Sequence, residues 1–383
     1  MSNWQYYPVI LQIGSRTIKA GFAGDATPIV HISTNSYDLE DSQIKNITDH
    51  ALPESVSLET HISDEINQLL WSYDLIDWDG NKFENLLERI IHHIHSCELL
   101  VDSKRCKVLV VEPIFFPTPL KKAVAKVLLF HLHAKSVTFY PEPIMSVVGS
   151  GSNRGIVIDM GWNYTTITPV YDLRMIYNLS RSTTRAGRLI HRDLYKKFED
   201  LGVPKSDLFQ FTERFVVQKC YCRDTEDKDR GYNETIDFEN IEVPDRFRYE
   251  SIENVLIRND LASDDDHENQ SPVTLVVKLL NELNIDLRGA LSSKTLLTGG
   301  VSEVPGLKSR FYKELEKACG QNIEFIQSLG PWKGASLYFS TVLMSSSSTA
   351  VASTELHRDK YLNRESFMRD WTDNIYLSAA NNI

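Results

Sequence analysis

The feature that most constrains this chain is a pattern that occurs twice. Residues 9–22, VILQIGSRTIKAGF, and residues 156–169, IVIDMGWNYTTITP, follow one plan: an apolar strand, a polar residue near its end, a glycine, a short turn and a second strand. Apolar runs that close on such a turn and return read as β-hairpins. Two copies so far apart imply two similarly built domains, and each glycine turn is able to offer backbone N–H groups to a phosphate. The length of 383 residues agrees, because one hydrophobic core rarely extends over so long a chain.

Between the hairpins the pattern alternates helix and strand. Asn81 to His95 carries Phe83, Leu86, Leu87, Ile90, Ile91 and Ile94 at helical spacing. KVLVV (107–111) is a continuous apolar run ending at Glu112-Pro113, as a parallel strand buried on both faces requires. Thr118-Pro119 predicts a helix start, with Thr118 as the N-cap hydroxyl and proline in the first turn. The helix that follows buries Leu120, Val124, Val127, Leu128 and Leu132, and Val137 to Tyr140 returns as a strand. Val273 to Leu283 is again helical, and residues 294–315 read as strand, Gly-Gly turn and helix. There Gly299-Gly300 permits close approach of a ligand, and the helix N-terminus adds a positive dipole end. Three polar stretches lie outside this pattern: an arm near 31–66, the acidic loop 259–272, and SSSST at 345–349.

Composition excludes several classes of function. A net charge of −11, with no basic cluster beyond pairs such as Lys121-Lys122 and Lys196-Lys197, argues against nucleic-acid binding. No apolar run approaches the roughly 20 residues of a membrane span, so no membrane contact is expected. The start MSNWQYYPVI has neither a charged n-region nor an apolar h-region, so no secretory signal is expected. The five cysteines then read as reduced thiols, and Cys220-Tyr-Cys222 has no second Cys or His pair at zinc spacing. His92, His93 and His95 sit on a helix whose apolar face is built by their neighbours and read as surface histidines.

In order, these segments resemble the actin family. GSRTIKAGFAGD (14–25) is similar to its first phosphate loop and GIVIDMGWNYTTITPVYD (155–172) to its second. LLTGGVSEVPGL (296–307) resembles its adenosine-contacting turn, WKGAS (332–336) the short motif after it, and LLVDSKRCKVLVVEPIFFP (99–117) the strand region between the loops. Only the arm near 31–66 and much of 190–270 fall outside the likeness. The resemblance implies an α/β, actin-like ATPase-domain fold of two similar lobes around a central nucleotide cleft. One lobe would take 1–149 plus 335–383 and the other 150–334, with a variable subdomain near 185–270.

The resemblance also assigns the site residues. Gly14, Ser15, Arg16, Lys19, Asp159, Gly161, Gly299, Gly300 and Val301 occupy nucleotide-binding positions. Lys19 is either a phosphate ligand or a solvent-facing strand lysine. Arg16 stands where the family has glycine, and either covers a phosphate or fills the pocket and pairs with Asp159. Hydrolysis needs a held phosphate, a held divalent ion and an oriented water. The family's first-loop aspartate is Gln12 here, and of its second-loop aspartates Asp159 remains while the next is Trp162. Neither an amide nor an indole replaces a carboxylate on Mg²⁺, and Trp162 is bulky enough to crowd the metal or phosphate space. Asp159 either helps hold a metal or ends a strand and bonds its turn. The water-orienting glutamine and histidine become Glu142 and Thr166, with Glu142 either a base or a strand-end carboxylate in a proline turn. Val216 and Val217 stand near the family's Lys-Glu pair. A degraded ATPase site is therefore expected, with ATP or ADP at most a structural ligand and Mg²⁺ poorly served.

Within the family, NYTTITPVYDLR (163–174), NELNIDLRGAL (281–291) and MRDWTDNI (368–375) are similar to the divergent actin-related proteins of the pointed end of dynactin. That likeness implies a non-catalytic subunit that caps an actin-like filament and supports dynein-driven microtubule transport and nuclear migration. Its partners would be the actin-like filament protein and other dynactin subunits in the cytoplasm. The arm near 31–66, which lacks a glycine- and methionine-rich loop and carries Asp49, Pro53, Glu54 and Glu59, suits a terminal subunit. Two other readings are an actin-related subunit of a nuclear chromatin-remodelling complex and an active ATPase.

Overall fold

The computed structural model describes residues 6–33, 80–224, 234–258, 269–319, 323–344 and 355–363. The polar arm beyond Ser33, the acidic loop up to 268, SSSST and MRDWTDNI lie outside the described residues, as do the side chains of Phe83 and Leu86. The chain divides into two compact units: Met1–Gly149 with Pro331–Ile383, and Ser150–Gly330. Among the described residues no helix is long and apolar enough to cross a membrane.

The first unit is built on a six-stranded sheet. Strands β1 (Tyr7–Ile13) and β2 (Thr17–Phe22) form the first hairpin, and β3 (Val30–Ser33) extends it. On its other side β1 pairs in parallel with β4 (Cys106–Glu112), then come β5 (Ser136–Pro141) and the short strand Leu356–His357. Val9, Ile10 and Leu11 are fully buried, as a central strand covered on both faces demands.

Helices α1 (Gly80–His93) and α2 (Thr118–Lys126) pack on this sheet through Leu87, Ile90, Ile91, Leu120 and Val124. Both end alike, each widening into a π turn, Ile94–Glu98 and Val127–His131. The next residues but one, Leu100 and His133, take positive φ of 52° and 58°. Val101 N–H then bonds His95 O at 2.9 Å and Ala134 N–H bonds Leu128 O at 2.8 Å, closing the ends in Schellman fashion. The π turn rotates His95 inward, so it is not the surface histidine expected but 2% exposed, with Nδ1 donating to Ile91 O at 2.8 Å. The α2 start also differs. Pro117, extended at φ −60° and ψ 134°, is the cap, and Thr118 is already helical. Helix α3 (Glu142–Val148) begins where a strand-end proline turn was one alternative.

The second unit repeats the arrangement. Strands β6 (Gly155–Met160) and β7 (Thr165–Tyr171) form the second hairpin, extended by β8 (Arg174–Met175) and β9 (Arg181–Thr183). Helices α4 (Gly187–Asp200) and α5 (Leu208–Lys219) pack as a pair against the hairpin β10 (Thr235–Phe238) and β11 (Ile241–Pro244). Their seam is aromatic, with Phe198, Phe211, Phe215 and Phe238 in edge-to-face contacts of 4.9–5.2 Å. This seam is continuous with the core that β6 and β7 form through Ile156, Ile158 and Ile167. Helices α6 (Glu250–Leu256), α7 (Pro272–Glu282) and α8 (Ile285–Ser292) lead to β12 (Thr295–Thr298), which pairs in parallel with β6.

Candidate nucleotide-site residues

The two hairpins are equivalent in hydrogen bonding. Gly14 N–H bonds Thr17 O at 2.9 Å, and Gly161 N–H bonds Tyr164 O at 3.1 Å. Each central strand has an antiparallel partner on one side and a parallel partner on the other, so Gln12 lies opposite Lys19 and Val111, and Asp159 opposite Thr166 and Thr298. In both turns the glycine N–H is engaged by the turn itself. The two glycines therefore shape the loops and do not offer those N–H groups to an anion.

In the first unit Gln12 Nε2 donates to Glu142 Oε1 at 2.7 Å. The amide is oriented by its acceptor, because its oxygen would be repelled there. Glu142 opens α3, where the helix dipole favours a carboxylate. Amide and carboxylate thus stand at the positions of the family's aspartate and glutamine, exchanged across the pair. Lys19 sits beside Gln12 on β2, and Ser15 and Arg16 form the half-exposed turn tip.

WKGAS opens the helix Pro331–Met344 and clamps this hairpin. Trp332 Nε1 donates to Ile10 O at 3.4 Å, and Ser336 Oγ donates to Asp25 O at 2.8 Å while accepting from Gly24 N–H at 3.0 Å. At Gly334 the helix meets α3 backbone to backbone: a Cβ there would lie 1.8 Å from Met145 O. Gly334 thereby sets the position of α3 and so of Glu142. The dividing point falls at Gly330 and not at 334 because the whole helix packs on this sheet.

In the second unit Asp159 is the penultimate residue of β6 and accepts from Thr298 Oγ1 at 3.2 Å. Trp162 follows the turn glycine. A Cβ placed on Gly187 would stand 3.0 Å from Trp162 Cε3 and 3.0 Å from Val301 Cγ2, so both side chains close over that glycine. The indole also meets the His191 ring edge-on, with centroids 5.5 Å apart. His191 is held by Glu213 Oε1 at 3.2 Å from its Nε2 and by the Phe209 ring at 4.5 Å. The first donors of α4 point back at the turn: Gly187 N–H bonds Gly161 O at 3.1 Å and Arg188 N–H bonds Trp162 O at 2.8 Å.

The Gly-Gly turn differs from its expected form. Gly299 takes φ 91°, and a Cβ there would lie 2.3 Å from Met160 O, so only glycine fits. A 3₁₀ turn, Gly300–Glu303, separates it from helix α9 (Leu307–Cys319), so no α-helix N-terminus follows the glycines directly. On α5, Val216 is half-buried and Val217 is 64% exposed.

Gln12 and Trp162 do not suit a Mg²⁺-nucleotide: the amide of Gln12 is committed to Glu142, and Trp162 is packed on α4. Cys220 and Cys222 are buried, which pushes both thiols up to about 12 and leaves them protonated at neutral pH.

A family model described as actin matches residues 5–256. Curated relatives include Actin-like protein 9 of Homo sapiens, 24% identical over 350 residues, covering 88% of this chain and 81% of the relative. Actin-related protein 2 of Arabidopsis thaliana is 25% identical over 327 residues, covering 80% of each. Actin-related protein 2 of Oryza sativa subsp. indica is 24% identical over 324 residues, again covering 80% of each. The paired hairpins, the α/β sheets they anchor and a match running through most of the chain lead to one conclusion: this protein belongs to the actin family and has the actin-like ATPase-domain fold.

Proposed function

We propose that this chain is a non-catalytic structural subunit, an actin-related protein that caps the pointed end of dynactin's actin-like filament in the cytoplasm. The observation that carries the non-catalytic reading is the state of the two central strand ends. Gln12 is bonded to Glu142 and Trp162 is packed on α4, while the hairpins and the WKGAS clamp are intact. A subunit kept for its shape retains backbone geometry and tolerates loss of catalytic side chains. The dynactin placement rests on the resemblance of 163–174 and 281–291. Both segments carry exposed apolar side chains suited to contact with a neighbour, Tyr171 at 39% and Ile285 at 83% exposure. In that role the chain would support dynein-driven transport and nuclear migration.

Native purification of the tagged protein from its own cells tests the placement. Co-purification of dynactin subunits and the actin-like filament protein is expected. Recovery with chromatin-remodelling subunits would move the chain to the nucleus and overturn it. Hydrolysis of ATP that disappears in Glu142→Ala would overturn the non-catalytic reading.

A further inference from the structure

We infer that Trp162 is the internal occupant of the second unit's adenosine side and that the chain holds no adenine nucleotide. The inference deepens the non-catalytic reading and rests on it. Trp162 directly follows the turn glycine, the position that Ser15 has in the first hairpin. A serine extends little beyond its turn, whereas the indole comes up against Gly187, which Val301 of the turn resembling the family's adenosine contact approaches as well. The indole is seated there, not loosely placed. Gly187 leaves room for it, His191 abuts it, and His191 is itself fixed by Glu213 and Phe209. The backbone on either side is closed as well, since the first two donors of α4 bond the carbonyls of Gly161 and Trp162. A planar aromatic ring, supplied by the chain, thus links the phosphate-type turn, α4 and the adenosine-type turn. An adenine entering there would have to displace it.

The test uses the full-length chain as wild type, Trp162→Gly and Trp162→Phe. Nucleotide released by acid from the purified proteins is quantified, and N-methylanthraniloyl ATP and ADP are titrated with and without Mg²⁺. The wild type should release no stoichiometric nucleotide, and millimolar-range ATP should leave its melting temperature unchanged, since a ligand that binds the native state raises it. Trp162→Gly should bind the labelled nucleotides at least about tenfold more tightly than the wild type, with Trp162→Phe close to the wild type. Stoichiometric nucleotide in the wild type overturns the inference. If that nucleotide is not hydrolysed, the non-catalytic reading stands; if it is hydrolysed, both fall. A folded Trp162→Gly chain with no gain in binding also overturns the role of the indole. Should that variant not fold, the release and melting measurements on the wild type decide alone.

Discussion

The exchanged pair Gln12–Glu142 gives the sharpest energetic prediction. Gln12→Asp restores the family's residue on one side only and sets two carboxylates where an amide met a carboxylate at 2.7 Å. The lost hydrogen bond to a charged acceptor is worth about 1.5–3 kcal/mol. Two like charges about 4 Å apart repel by about 4 kcal/mol at an effective dielectric of 20, reduced here because both side chains are only half-buried. Together these give a destabilisation of about 3 kcal/mol at pH 7. One carboxyl of the variant then titrates above its unfolded value near 4.3, so the penalty grows as pH rises from about 4 and is relieved below it. Glu142→Gln leaves two amides able to bond each other and should cost only about 1 kcal/mol. The double variant Gln12→Asp/Glu142→Gln re-forms an amide–carboxylate pair with the roles reversed and should return to within about 1 kcal/mol of wild type. Urea unfolding of the four proteins at pH 7 yields the coupling energy, expected at about 3–4 kcal/mol. Additivity to within about 0.5 kcal/mol would refute the idea that the pair acts as a unit.

Three further perturbations test how the first unit is held. Burial lowers the pKa of His95 below its ordinary 6.5, and the neighbouring His92 adds to the shift. The unfolded state therefore takes up the proton first, and stability should be complete above pH 6.5 and fall as pH drops below it; melting temperature against pH should show this slope and His95→Asn should flatten it. Gly334→Ala forces a Cβ to 1.8 Å from Met145 O, and a loss of about 3 kcal/mol or more is expected in thermal unfolding; a shift of less than a degree would mean that the contact is not tight. Lys121 Nζ pairs with Glu112 at 2.9 Å, both nearly buried, beside the Phe139 ring. Lys121→Met should cost about 3–5 kcal/mol and Glu112→Leu/Lys121→Met much less, and equal losses by chemical unfolding would contradict this account.

What the sequence made legible was local. The hairpins, the parallel run KVLVV and the faces of α1 and α2 follow from periodicity and turn residues within a few positions. The π turns ending α1 and α2 were not legible, because burial of Leu99 and Leu132 against the sheet decides them, and the inward turn of His95 follows from the first. Two prolines flank Thr118, and local rules alone do not say which residue caps. The Gln12–Glu142 bond spans 130 positions and has no local signal at all. The WKGAS helix likewise reaches back more than three hundred residues to hold the first hairpin. His191 was within reach: it adjoins Ile190 and shares the buried side of α4 with Leu194 and Phe198, and a polar residue there needs a partner such as Glu213.

The glycines that suggest a nucleotide site have a second explanation, and one of them separates the two. A Cβ on Gly14 would stand 2.9 Å from Thr17 O, one on Gly161 3.1 Å from Tyr164 O, and one on Gly299 2.3 Å from Met160 O. At Gly14 and Gly299 the chain's own backbone requires glycine and at Gly161 it favours it, so their presence reports on fold and not on a ligand. Gly300 is different: a Cβ there meets nothing within 4 Å and its backbone lies outside the left-handed region. The fold gives no reason for glycine at 300. If no nucleotide approaches that turn, Gly300→Ala should be neutral to within about 0.5 kcal/mol and leave partner binding unchanged, while Gly299→Ala should cost several kcal/mol through its φ and its contact. Thermal unfolding and native co-purification of the two variants make the comparison. A Gly300→Ala chain that unfolds like the wild type but loses its partners would show that something does approach this turn, and would place an interface where the family places adenosine.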